Sequence, residues 1–146
     1  MLIDKNDLPL VAMDFMNEVH FEDVDIINSL HDCILKYDIE KSENNFNEVN
    51  AKYQEWFEHT VEHFKNEEIK MQEIKFPPYM MHKGEHDTAL NTMDEVFRQW
   101  SQDKDIYKLK EYFEVHLKPW LVNHIQTMDT VTASFFKTGL SPCSMH

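Results

Sequence analysis

From Asp14 to Asp38, apolar residues return every three or four positions among polar ones: Phe15, Val19, Ile26, Ile27, Leu30 and Ile34. That repeat fits a 3.6-residue turn and predicts a helix with one buried stripe, with Asp14 at a capping position. The polar run KSENNFNE (41–48) reads as a turn. A second stripe, Tyr53, Trp56, Phe57, Phe64, Met71 and Ile74, then predicts a helix from about Phe46 to Ile74. The prolines of FPPY (76–79) end it, because proline lacks the amide hydrogen and restrains its predecessor. A third helix is expected from about Tyr79 to Trp100, a connection in SQDKD (101–105), and a fourth helix from about Ile106 to Phe136. Pro119 cannot donate to the carbonyl of Val115, so a kink or restart is expected there. Gly139 would end the last helix and leave residues 139–146 as a flexible tail. Four long helices with short links predict an all-α fold, an antiparallel up-down-up-down four-helix bundle, in a single domain covering residues 1–146.

Composition supports a packed helical core. The chain is 42% hydrophobic with 10 Phe, 5 Tyr and 3 Trp, and its 2 glycines are too few for a turn-rich β fold. The formal charge of -13 argues against nucleic acid as a partner, since phosphate binding needs clustered positive charge. It suits a well-solvated monomer. No apolar run approaches the roughly 20 residues of a membrane span, and MLIDKNDLPLVAM offers no signal-peptide core. Cys33 and Cys143 make no disulfide framework, so a cytoplasmic location with reduced thiols is expected.

The candidate chemistry lies in HFKNEE (63–68) and HKGEH (82–86), which set His63 against Glu67 and His82 against His86 at the same spacing. Four residues turn a helix through about 400°, so each pair shares a face. His20 on the first predicted helix, and His124 with Asp129 on the fourth, add a ligand-capable group to every rod. A bundle interior is where such groups converge. Buried imidazoles and carboxylates need partners, which metal ions supply.

The stretches HFEDVDIINSL (20–30), TVEHFKNEEIKM (60–71), HKGEH (82–86) and WLVNHIQTMD (120–129) together resemble the hemerythrin family, in its bacterial single-domain branch. The resemblance covers about residues 14 to 136. It implies a non-haem centre of two iron ions joined by an oxo or hydroxo bridge. His82, His86 and His124 would hold one iron and His20 and His63 the other, with Glu67 and Asp129 bridging both. The iron with fewer histidines would keep a position open for O2, with NO or peroxide as further candidate ligands. Phe64, Trp120, Leu121 and Ile125 match the family's apolar residues beside the ligands, Leu121 and Ile125 being the best candidates for the pocket wall.

Several features depart from the simplest pattern. His124 and Asp129 are five residues apart, which on an ideal helix turns them about 140° from one another; a π-type distortion between them is the expected remedy. The approach to His20, DFMNEVH, differs from the Asp-x-Gln-His run of many relatives. His31 shares its face but lies about 16.5 Å further along, too far for the same centre. His59 and His116 stand where relatives often carry aromatics and could tune hydrogen bonding at the centre, although surface placement is the plainer expectation. Two function classes compete: reversible O2 carriage, storage or sensing, and a di-iron enzyme such as a peroxidase, an oxidase or a nitric-oxide-handling protein. No histidine has a glutamate three residues before it, the spacing of the ferritin-like carboxylate enzymes. That favours the O2-binding reading. A metal-free or mononuclear interaction module is a third possibility, and zinc fits poorly because a closed zinc site needs only four ligands.

Overall fold

The computed structural model describes residues 1–138, so the expected tail at residues 139–146, with Cys143, lies outside the described residues. Three unbroken helices come first: α1 (Asp14–Ile39), α2 (Glu43–Glu73) and α3 (Tyr79–Asp103). The fourth rod is built in pieces: α4 (Ile106–Glu111), a π segment (Tyr112–Leu117), α5 (Lys118–His124), a second π segment (Ile125–Asp129) and α6 (Thr130–Thr138). α1 packs on α2, α2 on α3, and the fourth rod closes the bundle against α1 and α3. The result is the expected antiparallel four-helix bundle. No helix among the described residues is long and apolar enough to cross a membrane.

The ends of the rods depart from the sequence reading for local reasons. KSENNFNE is largely helical, because the Ser42 side chain caps α2 by accepting from the Asn45 amide at 3.1 Å. Asp14 is not a cap; it is the first residue of α1, behind Met13, which offers no side-chain cap. α3 continues to Asp103 and stops at Lys104, whose φ of 51° is left-handed. Asp105 then caps α4 by accepting from the amides of Tyr107 and Lys108. Phe15 and Ile74, expected in the core, are each 36% exposed. Phe15 stacks on Phe136 instead, with the Lys70 ammonium over its face.

Pro119 is accommodated without a break, the backbone staying in the right-handed helical region at Glu111, Tyr112, Leu117 and Lys118. The π segment Tyr112–Leu117 shifts the hydrogen-bond register just ahead of it, and α5 begins with the proline in its first two positions.

The core divides along the bundle axis. One half is aromatic: Tyr37, Trp100, Tyr53, Trp56 and Phe113 pack edge to face or tilted, with centroids 5.1 to 6.2 Å apart. The Tyr53 hydroxyl donates to the Met93 carbonyl at 2.6 Å, and the Trp100 indole donates to Asn50 at 2.8 Å, so the polar tips are satisfied. The other half holds the histidines. Ahead of α1, residues 1–13 form an arm whose Ile3, Leu8 and Val11 are buried. The arm carries one 3-10 turn, Lys5–Asp7; on either side of it Asn28 pairs with both backbone groups of Ile3, and Asn17 with both of Val11. The sequence reading assigned no structure to this arm.

Candidate metal centre

α1 contributes His20, α2 His63 and Glu67, α3 His82 and His86, α5 His124, and the second π segment Asp129. Six of the seven are at most 3% exposed, and the His63 side chain only 9%. The π segment solves the spacing problem at the fourth rod. The Thr130 amide donates to the Ile125 carbonyl, five residues back, so one turn absorbs an extra residue. Asp129 is thereby brought round to the face of His124, their Nε2 and Oδ1 atoms 3.2 Å apart.

The two carboxylates divide the histidines into two groups. Glu67 Oε1 lies 2.9 Å from His82 Nε2 and 3.8 Å from His86 Nε2, while Oε2 lies 3.2 Å from His63 Nε2. Asp129 Oδ1 lies 3.0 Å from His82 Nε2 and 3.2 Å from His124 Nε2, while Oδ2 accepts from His20 Nε2 at 2.9 Å. One oxygen of each carboxylate thus faces two histidines and the other faces one, so that together Glu67 Oε1 and Asp129 Oδ1 face His82, His86 and His124, while Glu67 Oε2 and Asp129 Oδ2 face His63 and His20. Ligand atoms of His82, His86, His124 and Asp129 all fall within 4.8 Å of one another.

Behind the rings stands a second layer of bonds. The Nδ1 atoms of His63, His82, His86 and His124 are held by Asp23 (2.9 Å), Thr132 (2.7 Å), Glu68 (2.9 Å) and Glu85 (2.8 Å). Each contact aims the opposite nitrogen, Nε2, into the cluster, as outer partners of metal-binding histidines do. His20 is the exception, since its Nδ1 has no hydrogen-bond partner. Phe64 stacks on His86 with ring centroids 3.8 Å apart, and Trp120 stacks on His124 at 4.8 Å. Of these outer partners, Glu68 and Glu85 were within reach of sequence reasoning, since both lie inside the quoted motifs. Asp23 lies inside a quoted stretch as well, HFEDVDIINSL. Thr132 carried none.

Seven buried side-chain nitrogen and oxygen atoms among the described residues make no hydrogen bond: His20 Nδ1, His63 Nε2, Glu67 Oε1, His82 Nε2, His86 Nε2, His124 Nε2 and Asp129 Oδ1. They come one each from the seven residues singled out in the sequence. Buried polar atoms are normally paired, and neighbouring ligands of an octahedral metal lie about 3 Å apart, the spacing found between most of these groups. The donor set fits metal.

Electrostatics follow from the same crowding. Burial disfavours a charge on Asp129, but the close approach of His124, His20 and His82 prevails and holds its carboxyl well below the usual range. Burial likewise opposes a charge on His82, yet Asp129 and Glu67 raise its imidazole to about 9. Burial and the repulsion of His82 and His124 push His86 down to about 2. These directions fix the pH behaviour of metal-stripped protein. The stability from His82 is complete below its ordinary 6.5 and lost as pH rises through about 9. His86 stays neutral in the fold while the unfolded chain takes up a proton below 6.5, so stability also falls as pH drops from there towards about 2. Urea midpoints of the stripped protein should therefore peak near about pH 6.5 and decline on both sides. A flat profile between about pH 6 and 9 would contradict this account of His82.

A cavity of ≈ 210 Å³ reaches the cluster from one side. His20, His63, His124 and Asp129 line it, together with Phe64, Trp120, Leu121 and the apolar side chains of Ile27, Met93 and Leu117. His82, His86 and Glu67 do not. Ile125, expected on the pocket wall, is fully buried but does not line this cavity; as the first residue of the π segment it belongs to the bundle core. Among the described residues, the remaining histidines, His31, His59 and His116, are not part of the cluster. His31 is 8% exposed and pairs with Glu114 at 2.9 Å, and the His116 side chain is 62% exposed at the cavity's edge. His59, for which surface placement was the plainer expectation, is half-buried against Asp23.

Fold and site together define an all-α bundle whose core gathers histidines and carboxylates into a two-sided cluster. The chain is 33% identical over 133 residues to the bacteriohemerythrin of Aquifex aeolicus, a match covering 91% of this chain and 96% of that one. It is 25% identical over 115 residues to the bacteriohemerythrin of Methylococcus capsulatus, covering 79% of this chain and 81% of the relative. A shorter match, 36% over 70 residues, links it to the hemerythrin of Phascolopsis gouldii, across 48% of this chain and 49% of that protein. No family model matches the chain, and no solved structure matches it significantly. At this identity and coverage, the chain belongs to the hemerythrin family.

Proposed function

We propose that the cluster holds two iron ions and that the protein binds O2 reversibly beside the iron nearer the cavity. The observation that carries this reading is the set of seven buried atoms without hydrogen bonds, one from each candidate ligand. His82, His86 and His124 would hold one iron, His20 and His63 the other, and Glu67 and Asp129 would span both. Imidazole and carboxylate donors suit iron, and seven of them exceed what a closed zinc site uses. When bound, a pair of ferrous ions can supply two electrons to O2. The chain's own part is to position and to exclude. Two histidines against three leave fewer protein donors on one side, and that is the side on which the cavity opens. Leu121, Phe64 and Trp120 wall that space with apolar surface, which keeps out the water and protons that turn binding into oxidation. NO and peroxide fit the same space.

The test has two parts. Metal analysis should find about two irons per chain, as seven donors shared between octahedral ions require. Mixing the reduced, iron-loaded protein with air should give an oxygenated spectrum that vanishes under argon without added reductant. Irreversible oxidation, or rapid turnover of peroxide, would replace this reading with that of a di-iron enzyme.

A further inference from the structure

We infer that His59 is a positioning residue for the two-histidine half of the centre, holding Asp23 in place so that Asp23 holds His63. The inference rests on the two-iron reading above and deepens it. His59 lies one turn before His63 on α2. Its Nδ1 donates to Asp23 Oδ1 at 2.6 Å, and the other oxygen, Oδ2, accepts from His63 Nδ1 at 2.9 Å. Its Nε2 reaches Glu22 at 3.3 Å, near solvent.

Asp23 differs from the other carboxylates that hold cluster histidines. The side chains of Glu68 and Glu85 are 17% and 25% exposed, so water can serve their second oxygens. The Asp23 side chain is only 8% exposed and has both oxygens committed to histidines. Without His59, Oδ1 would be a buried carboxylate oxygen with no donor, which the structure can relieve only by turning Asp23 away. That turn would loosen the bond fixing His63, whose Nε2 stands 3.2 Å from Glu67 Oε2. His63 belongs to the group that Glu67 Oε2 and Asp129 Oδ2 face, not to the group of His82, His86 and His124. The effect of losing His59 is therefore one-sided.

The experiment is a chelator challenge of iron-loaded protein, counting irons released against time for wild type, His59→Phe and His59→Asn. Phenylalanine keeps a ring but removes both donors. Asparagine places an amide nitrogen about where Nδ1 stood and keeps the bond to Asp23. Wild type should release both irons slowly. His59→Phe should release one of its two irons about tenfold faster or more, the scale of losing an outer partner, with the second unchanged. His59→Asn should restore the wild-type course. Should His59→Phe fold poorly, His59→Ala makes the same comparison with no ring to accommodate. Release indistinguishable from wild type, equal acceleration of both irons, or failure of asparagine to rescue would each overturn the inference. Wild-type protein carrying fewer than two irons would sink the two-iron reading, and this inference with it.

Discussion

Glu67→Ala should leave the purified protein with one iron or fewer per chain, while Glu68→Ala, one residue along, should still purify with about two. The contrast follows from where the two carboxylates point. Glu67 Oε1 and Oε2 reach His82 and His63, one histidine from each group, at 2.9 and 3.2 Å. Glu67 and Asp129 are the two groups that span both sides, so on the proposed two-iron reading losing either would remove a donor from both irons at once. It also strips a negative charge from beneath at least three imidazoles. Glu68 instead supports His86 from behind, through Nδ1 at 2.9 Å, and its loss should weaken affinity roughly tenfold to a hundredfold without emptying the site. Elemental analysis of the two variants side by side decides the matter. A Glu67→Ala protein that retains two irons would refute the bridging role.

Stripping the metal from wild-type protein should lower the melting temperature by about 10 to 20 °C, read by circular dichroism before and after chelation. Seven buried atoms that make no hydrogen bond are the cause. Each such group costs about 1 to 3 kcal/mol when left unsatisfied. Close approaches such as His82 to Asp129 at 3.0 Å return part of that as ion pairing, leaving a net loss of about 5 kcal/mol. At roughly 2 to 4 °C per kcal/mol for a domain of this size, the range follows. The aromatic half of the core, with Tyr53, Trp56, Trp100 and Phe113 tightly packed, should keep the stripped protein helical. Unchanged melting would mean that the seven atoms find partners some other way.

Much of this was legible in the chain because it depends on period and spacing. Apolar repeats fix which face of each rod turns inward, and the ligand residues fall on those faces one or two per rod. The step from His124 to Asp129 was legible as a misfit, and the misfit itself announced the π segment found at Ile125–Asp129. Rod ends were less readable, because a single hydroxyl at Ser42 outweighs the polar composition of the run that follows it. Ile125 shows a different limit: its apolar character announced burial, but not which buried surface it would meet.

The sequence by itself determined the bundle and the paired candidates His63 with Glu67 and His82 with His86, since helical periodicity and i,i+4 pairing act over a few residues and leave a direct trace, while His20, His124 and Asp129 were singled out through the resemblance of their stretches to the hemerythrin family. Only the tertiary structure decided which oxygen of Glu67 and Asp129 faces which histidine, on which side the cavity opens, and that Asp23 joins His59 to His63. The contacts of His20 with Asp129 and of Asp23 with His59 and His63 join side chains 36 to 109 residues apart, set by how the rods pack and turn against one another, and no local pattern records them.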